Sequence, residues 1–249
     1  MDRRRVAACF AAAFVTVAVW APPLSDAARH YVVFEALQFS LIALVVPALF
    51  VLGAPFSHMQ TIPKLVGRLA ALRRDHSGVV PTLSALWLYT VALILWQIPG
   101  VVDATRAHRP LLAVEFVTFV VIGSAFWSEL IESRPFVPKL RGVARVGLSV
   151  VPMWTVWVLA YFIGFARSSW FPAFRHSGAS ISTIADQQFA TGVLWAVSAA
   201  VFLPVIFTNF IRFLSDDEDA PGEIRRRRNA QQPPSGLAGA NRSPPPSAR

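Results

Sequence analysis

Six polar side chains sit where apolar ones are expected: Glu35, Gln38, Gln97, Glu115, Asp186 and Gln187. Each falls near one end of a long apolar run. Glu35 and Gln38 are three residues apart, a spacing that sets both on one helix face. Glu115 and Thr118 share that spacing. Carboxyl and amide groups gathered this way could line a polar pocket, or could fix helix packing through hydrogen bonds worth under about 1–2 kcal/mol each. The residues leave both readings open. No nucleophile–base pair accompanies them, because the lone cysteine, Cys9, lies at the far end of its run. Two carboxyls can act as an acid and a base, but the expectation is that the protein is not an enzyme.

The elements that carry these groups are membrane spans. The run His30 to Pro55 is long enough to cross a bilayer, which takes about 20 residues, and it closes on the breaker Gly53-Ala54-Pro55. Over 249 residues the chain is 55% hydrophobic and only 15% charged, with a mean hydropathy of +0.51. A soluble domain would carry about 25% charged residues. The expected fold is therefore all-α, a polytopic helix bundle with six transmembrane helices over roughly 6–22, 31–55, 80–99, 110–130, 146–166 and 188–213. Prolines within the runs (Pro47, Pro152, Pro204) read as kinks whose freed carbonyls are satisfied by neighbours. The eight tryptophans read in part as an interfacial belt.

Charge sets the orientation. Of the 23 basic residues, 18 lie before the first run, in the second–third and fourth–fifth connections, or after the sixth. The positive-inside rule then makes both termini cytoplasmic. On that topology the six polar residues share a layer just beneath the outer surface, on the second, third, fourth and sixth spans. The first run resembles a signal peptide in its Arg-rich start, but Pro22-Pro23 interrupts any cleavage site. Residues 1–214 are expected to form the membrane domain and 215–249, acidic, then basic, then proline-rich, a disordered cytoplasmic tail. The net charge of +9 comes without any nucleic-acid motif, so nucleic acid is not expected as a partner. Membrane lipid is.

With these features the chain resembles the CtaG-like family, membrane assembly factors for caa3-type cytochrome c oxidase. The likeness covers roughly residues 5–214. It rests on Pro47 to Pro55 (PxxxxLGAP), on Leu95, Trp96 and Pro99 (LWxxP), and on Glu115 leading to Gly123 and Phe126-Trp127. The run Asp186-Gln187-Gln188 with Gly192 and Trp195 completes it. The family usually has seven spans; the first has no counterpart here. The resemblance implies a multi-pass protein of the bacterial cell (cytoplasmic) membrane that assists oxidase maturation, with oxidase subunits as partners.

The departures bear on metal. Where the family writes HMVQH, LWHxP and HALEH, this chain has Glu35-Ala36-Leu37-Gln38-Phe39, Gln97, and Leu112-Ala113-Val114-Glu115-Phe116. Histidines at i and i+4 aim two imidazoles one way, as a transition-metal site requires. Positions 35, 39, 97, 112 and 116 all lack them, and Glu or Gln oxygens do not replace imidazole for Cu(I). Copper is therefore not expected at the family site, and no cofactor is expected. His30 and His108 are the remaining candidates for a relocated ligand pair, although isolated loop histidines are usually only solvated. Two other roles compete: an accessory or scaffold subunit of a membrane complex, and a permease for a small solute or metal. Transporter sites lie near the midplane, often between internal repeats, whereas this layer is shallow and no repeat is evident.

Overall fold

In a bilayer every backbone N–H and C=O must find a partner within the protein, and a helical fold meets that demand. The computed structural model describes residues 3–54, 64, 67–68, 79–133, 136, 138, 140, 142–174 and 181–231, with 142 and 216–231 described by backbone alone. Its helices are α1 (Arg3–Trp20), α2 (Pro22–Ala27), α3 (Val32–Gly53), α4 (Val79–Leu95), α5 (Pro99–Ala107), α6 (Arg109–Leu130), α7 (Gly142–Phe165) and α8 (Thr183–Gln231). No strand occurs among the described residues beyond one isolated bridge, Ser133 to Phe136.

Among the described residues, four helices are long and apolar enough to cross a membrane: Val32–Gly53, Arg109–Leu130, Val143–Phe165 and Thr183–Ser215. The pair α4–α5 makes a fifth if counted as one bent span. The first expected span, α1, is not among them, since arginines fill its first turn and shorten its apolar part. The expected 80–99 span breaks at Trp96–Ile98. Pro99, which lacks an N–H, starts α5 in the position proline favours, and the two helices meet at 73°. The composition change at 214 falls inside α8, whose apolar stretch ends at Ser215 while its backbone stays helical to Gln231. Residues 232–249 lie outside the described residues. So do Arg73, Arg74, Arg134, Lys139, Arg141, Arg175, His58, His76 and His176.

Helices α3 and α6 meet at the centre of the bundle, and each carries one turn of π-helix, Leu41–Val45 and Phe119–Gly123. Pro47 has no N–H to offer the Ala43 carbonyl four residues back. Tyr89 on α4 supplies the missing donor, its hydroxyl donating to Ala43 O at 2.9 Å. A side chain at position 123 would place its Cβ 2.9 Å from the Pro47 Cβ, so glycine is what admits this contact. Around the junction Tyr89 stacks on Phe126 at 4.5 Å, Phe119 meets Phe39 edge-on at 5.6 Å, and Trp127 stacks on Phe202 at 5.0 Å. These rings are all buried. Trp127 therefore belongs to the core and not to an interfacial belt.

The outer helices attach by polar as well as apolar contacts. Helix α7 lies along α8, where Trp157 Nε1 donates to Ser198 Oγ at 2.9 Å and Trp195 Nε1 to Trp157 O at 3.3 Å. Helix α1 runs antiparallel to α3, from Cys9 against Gly53 to Val19 against Gln38. Phe10, Phe14, Trp87, Val121, Phe165 and Phe207 remain exposed, an apolar exterior suited to lipid.

Tyr89→Phe leaves the Ala43 carbonyl without its donor. The thermal midpoint of the detergent-solubilised protein is expected to fall, by the equivalent of about 1–3 kcal/mol for an unsatisfied buried acceptor. Gly123→Val, which also drives a side chain into Pro47, is expected to cost more.

Candidate functional site: a polar cavity at one end of the bundle

The starts of α3 and α6, the end of α1 and the short helices α2 and α5 converge on a cavity of about 190 Å³. On α3, Glu35, Gln38 and Phe39 face it, the i, i+3, i+4 pattern of a single helix face. On α6, Leu112 and Glu115 do the same, while Phe116 turns aside to meet Trp20 edge-on at 6.1 Å. Gln97, at the end of α4, sets its amide beside the Glu35 carboxyl. Glu35 Oε2 and Gln97 Nε2 are nonetheless buried without a well-formed hydrogen bond. Glu115 is only 5% exposed, lies within electrostatic reach of Glu35, and has no hydrogen-bond partner among the described residues. Gln38 is committed: its Nε2 donates to Val19 O at 2.9 Å, tying α1 to α3.

The mouth is basic. Arg29, Arg106 and Arg109 line it together with Ser25, Asp26 and Thr105. Arg106 Nε donates to Arg29 O, and its guanidinium also lies over the Phe174 ring, 5.1 Å from the centroid. None of the three arginines is ion-paired with Glu35 or Glu115 among the described residues. The sequence places Arg29, Arg106 and Arg109 only as loop charges; nothing in their spacing announces that α2, α5 and the start of α6 fold over one opening. Thr118, expected beside Glu115, is half-buried and spends its hydroxyl on Val114 O at 2.7 Å. The π turn that follows at Phe119 shows that this helix face does not continue regularly.

The other two expected site residues are built into the scaffold. Asp186 is fully buried, and its carboxylate accepts from Val32 N at 2.8 Å and Val33 N at 3.1 Å. Tyr31, the residue in the capping position of α3, offers no side-chain cap, so α8 supplies one from 154 residues away. Gln187 Oε1 accepts from Trp170 N at 2.7 Å and its Nε2 donates to Ile163 O at 2.6 Å, clamping the α7–α8 connection. Neither residue lines the cavity. Sequence reasoning also missed a buried acid at the other end of α6, Glu129, which accepts from Thr82 Oγ1 at 3.1 Å.

His30 and His108 are both exposed. His30 Nδ1 is 2.7 Å from Asp26 O, and His108 caps the start of α6 through its backbone. Neither lines the cavity, and among the described residues no group of three His, Cys, Asp or Glu side chains is placed to hold a metal ion. The cavity wall offers acids, amides and guanidinium groups, with no His, Cys or Lys. Such a wall can hold a small charged or dipolar group and orient it by hydrogen bonds.

Fold and site thus define a multi-pass membrane protein whose helices enclose a polar cavity at one end of the bundle. Residues 1–216 match the model of the cytochrome c oxidase caa3 assembly factor family, and the chain belongs to that family. No curated protein and no solved structure matches it.

Asp186→Ala strips the cap from α3 and leaves two buried N–H groups unsatisfied. A loss of about 1–2 kcal/mol is expected, read as a lower thermal midpoint, with Asp186→Asn retaining part of it. Glu115→Gln, which carries no such duty, is expected to leave the midpoint close to that of the wild type.

Proposed function

We propose that the protein assists maturation of a respiratory oxidase in the bacterial cytoplasmic membrane, in a non-catalytic role exercised through contacts with oxidase subunits and without copper at the family's site. One observation carries this reading. The positions where the family writes histidine gather around one cavity: 35, 39 and 112 line it, 97 touches 35, and 116 packs on the lining residue Trp20. In this chain they hold Glu, Phe, Leu, Gln and Phe. The two carboxyl- and amide-bearing members are hard oxygen donors, and the other three offer no donor at all. What persists is the scaffold around the cavity, together with a broad apolar exterior through which a helix of another subunit could pack.

The same reading takes α1 as a sixth span and sets both termini in the cytoplasm, with residues 1–214 as the membrane domain and 215–249 as a solvated cytoplasmic extension. Its support is the antiparallel course of α1 along most of α3, which brings the Arg3–Arg5 turn toward the Gly53 end. The cavity then opens outward. Reporter fusions at residue 249 are expected to fluoresce as a cytoplasmic green fluorescent protein and to be inactive as a periplasmic phosphatase; the reverse pattern refutes the topology.

Deleting the gene is expected to lower terminal oxidase activity and the oxidase haem absorbance of isolated membranes, with recovery on re-expression. The purified protein is expected to retain no stoichiometric Cu(I) after titration and desalting. A deletion strain with normal oxidase spectra and activity overturns the maturation role. Tight one-to-one copper binding that disappears when Glu35 and Gln97 are changed overturns the copper-free reading.

A further inference from the structure

Two carboxyls of the cavity are withdrawn from water, Glu115 as a whole and Glu35 at its Oε2, while Arg29, Arg106 and Arg109 are half-buried or exposed, beside the exposed Asp26. Carboxyls withdrawn from water call for a cation or a donor close by. Here Glu115, 95% buried by its 5% exposure, is aimed into the cavity with no protein partner among the described residues. Glu35 Oε2 and Gln97 Nε2 lie side by side without a well-formed hydrogen bond. At the mouth, guanidinium groups present the fork that recognises phosphate oxygens. The chemistry required of an occupant is therefore dipolar: a hydrogen-bonding cation at one end and a phosphate at the other, a short link apart.

We propose that the cavity binds an ammonium–phosphate zwitterion, supplied by the headgroup of phosphatidylethanolamine, with the ammonium between Glu35 and Glu115 and the phosphate against Arg29, Arg106 and Arg109. A primary ammonium has three N–H donors, as a lysine head does, enough to serve both carboxyls. The trimethylated ammonium of choline has none, and glycerol headgroups carry no cation. A cavity of about 190 Å³ has room for a headgroup, given that one water occupies about 30 Å³ of liquid. Its position at the ends of membrane helices is the depth of lipid headgroups. Trp20 at the rim, 39% exposed, has the amphipathic ring suited to that depth. The proposal does not depend on the role in oxidase maturation.

The test is native mass spectrometry of the full-length protein, titrated in detergent with phosphatidylethanolamine, phosphatidylcholine or phosphatidylglycerol of identical chains, with soluble O-phosphoethanolamine as competitor. Phosphatidylethanolamine is expected to bind about tenfold more tightly than either other lipid, the scale of one charge-assisted hydrogen bond. Glu115→Gln is expected to erase the preference over phosphatidylcholine while leaving phosphatidylglycerol binding unchanged. Arg109→Gln is expected to weaken all three. Both variants must keep the wild-type thermal midpoint, and Glu35→Gln serves in place of Glu115→Gln if that variant does not. Displacement of the lipid by O-phosphoethanolamine assigns recognition to the headgroup alone; retention of the lipid assigns it to headgroup and chains together. Equal binding of the three lipids, or a preference that survives loss of both carboxyls, overturns the proposal.

Discussion

Pro47 withholds a backbone donor in the middle of a membrane helix, and much of the bundle is arranged around that deficit. The Ala43 carbonyl it leaves open lies where no water can serve it. The remedy comes from α4, whose Tyr89 hydroxyl reaches across to Ala43. Tyr89 can do so only because it is gripped between Phe126 and Phe119 on α6, and α6 can come close enough only because position 123 is glycine. Three helices are thereby locked at one level by one hydrogen bond and one close contact. The π turns on α3 and α6 fall at this level, each absorbing an extra residue where a helix yields to its neighbour.

Beyond this junction the N-terminal parts of α3 and α6 both face the cavity, with Glu35, Gln38 and Phe39 on one and Leu112 and Glu115 on the other. Its shape is fixed by groups that never touch an occupant. Asp186 caps the start of α3 from α8, Gln187 clamps the α7–α8 connection, and Gln38 ties α1 to α3 through the Val19 carbonyl. These bonds use buried polar groups fully, as a membrane interior demands. Glu115 and the Glu35–Gln97 pair do not follow that rule. Within one layer of polar residues the structure thus separates those spent on packing from those left available to a ligand.

That separation bears on the five positions where the family resemblance would place histidine. Positions 35, 39 and 112 line the cavity, 97 lies beside 35, and 116 turns aside onto Trp20. These positions hold two polar and three apolar side chains, on a scaffold set by the Pro47–Gly123 contact and the Asp186 cap.

Composition and apolar run length alone were enough to read a multi-pass, all-helical protein, because a bilayer leaves the backbone few other ways to bond. The ends of α3 at Gly53 and of α6 at Arg109 were legible for the same reason, since glycine and proline mark them locally. The motif order was enough to name the family. The sequence could also single out the six polar residues, since a carboxyl or amide in an apolar run is conspicuous. It could not say what each was for. Asp186 and Glu115 look alike in one dimension, yet one caps a helix 154 residues away and the other faces a cavity. The break at Trp96–Ile98 and the gathering of Arg29, Arg106 and Arg109 were likewise settled only in three dimensions. Hydrogen-bond partners and cavity walls are contacts between distant segments, and local spacing carries no record of them.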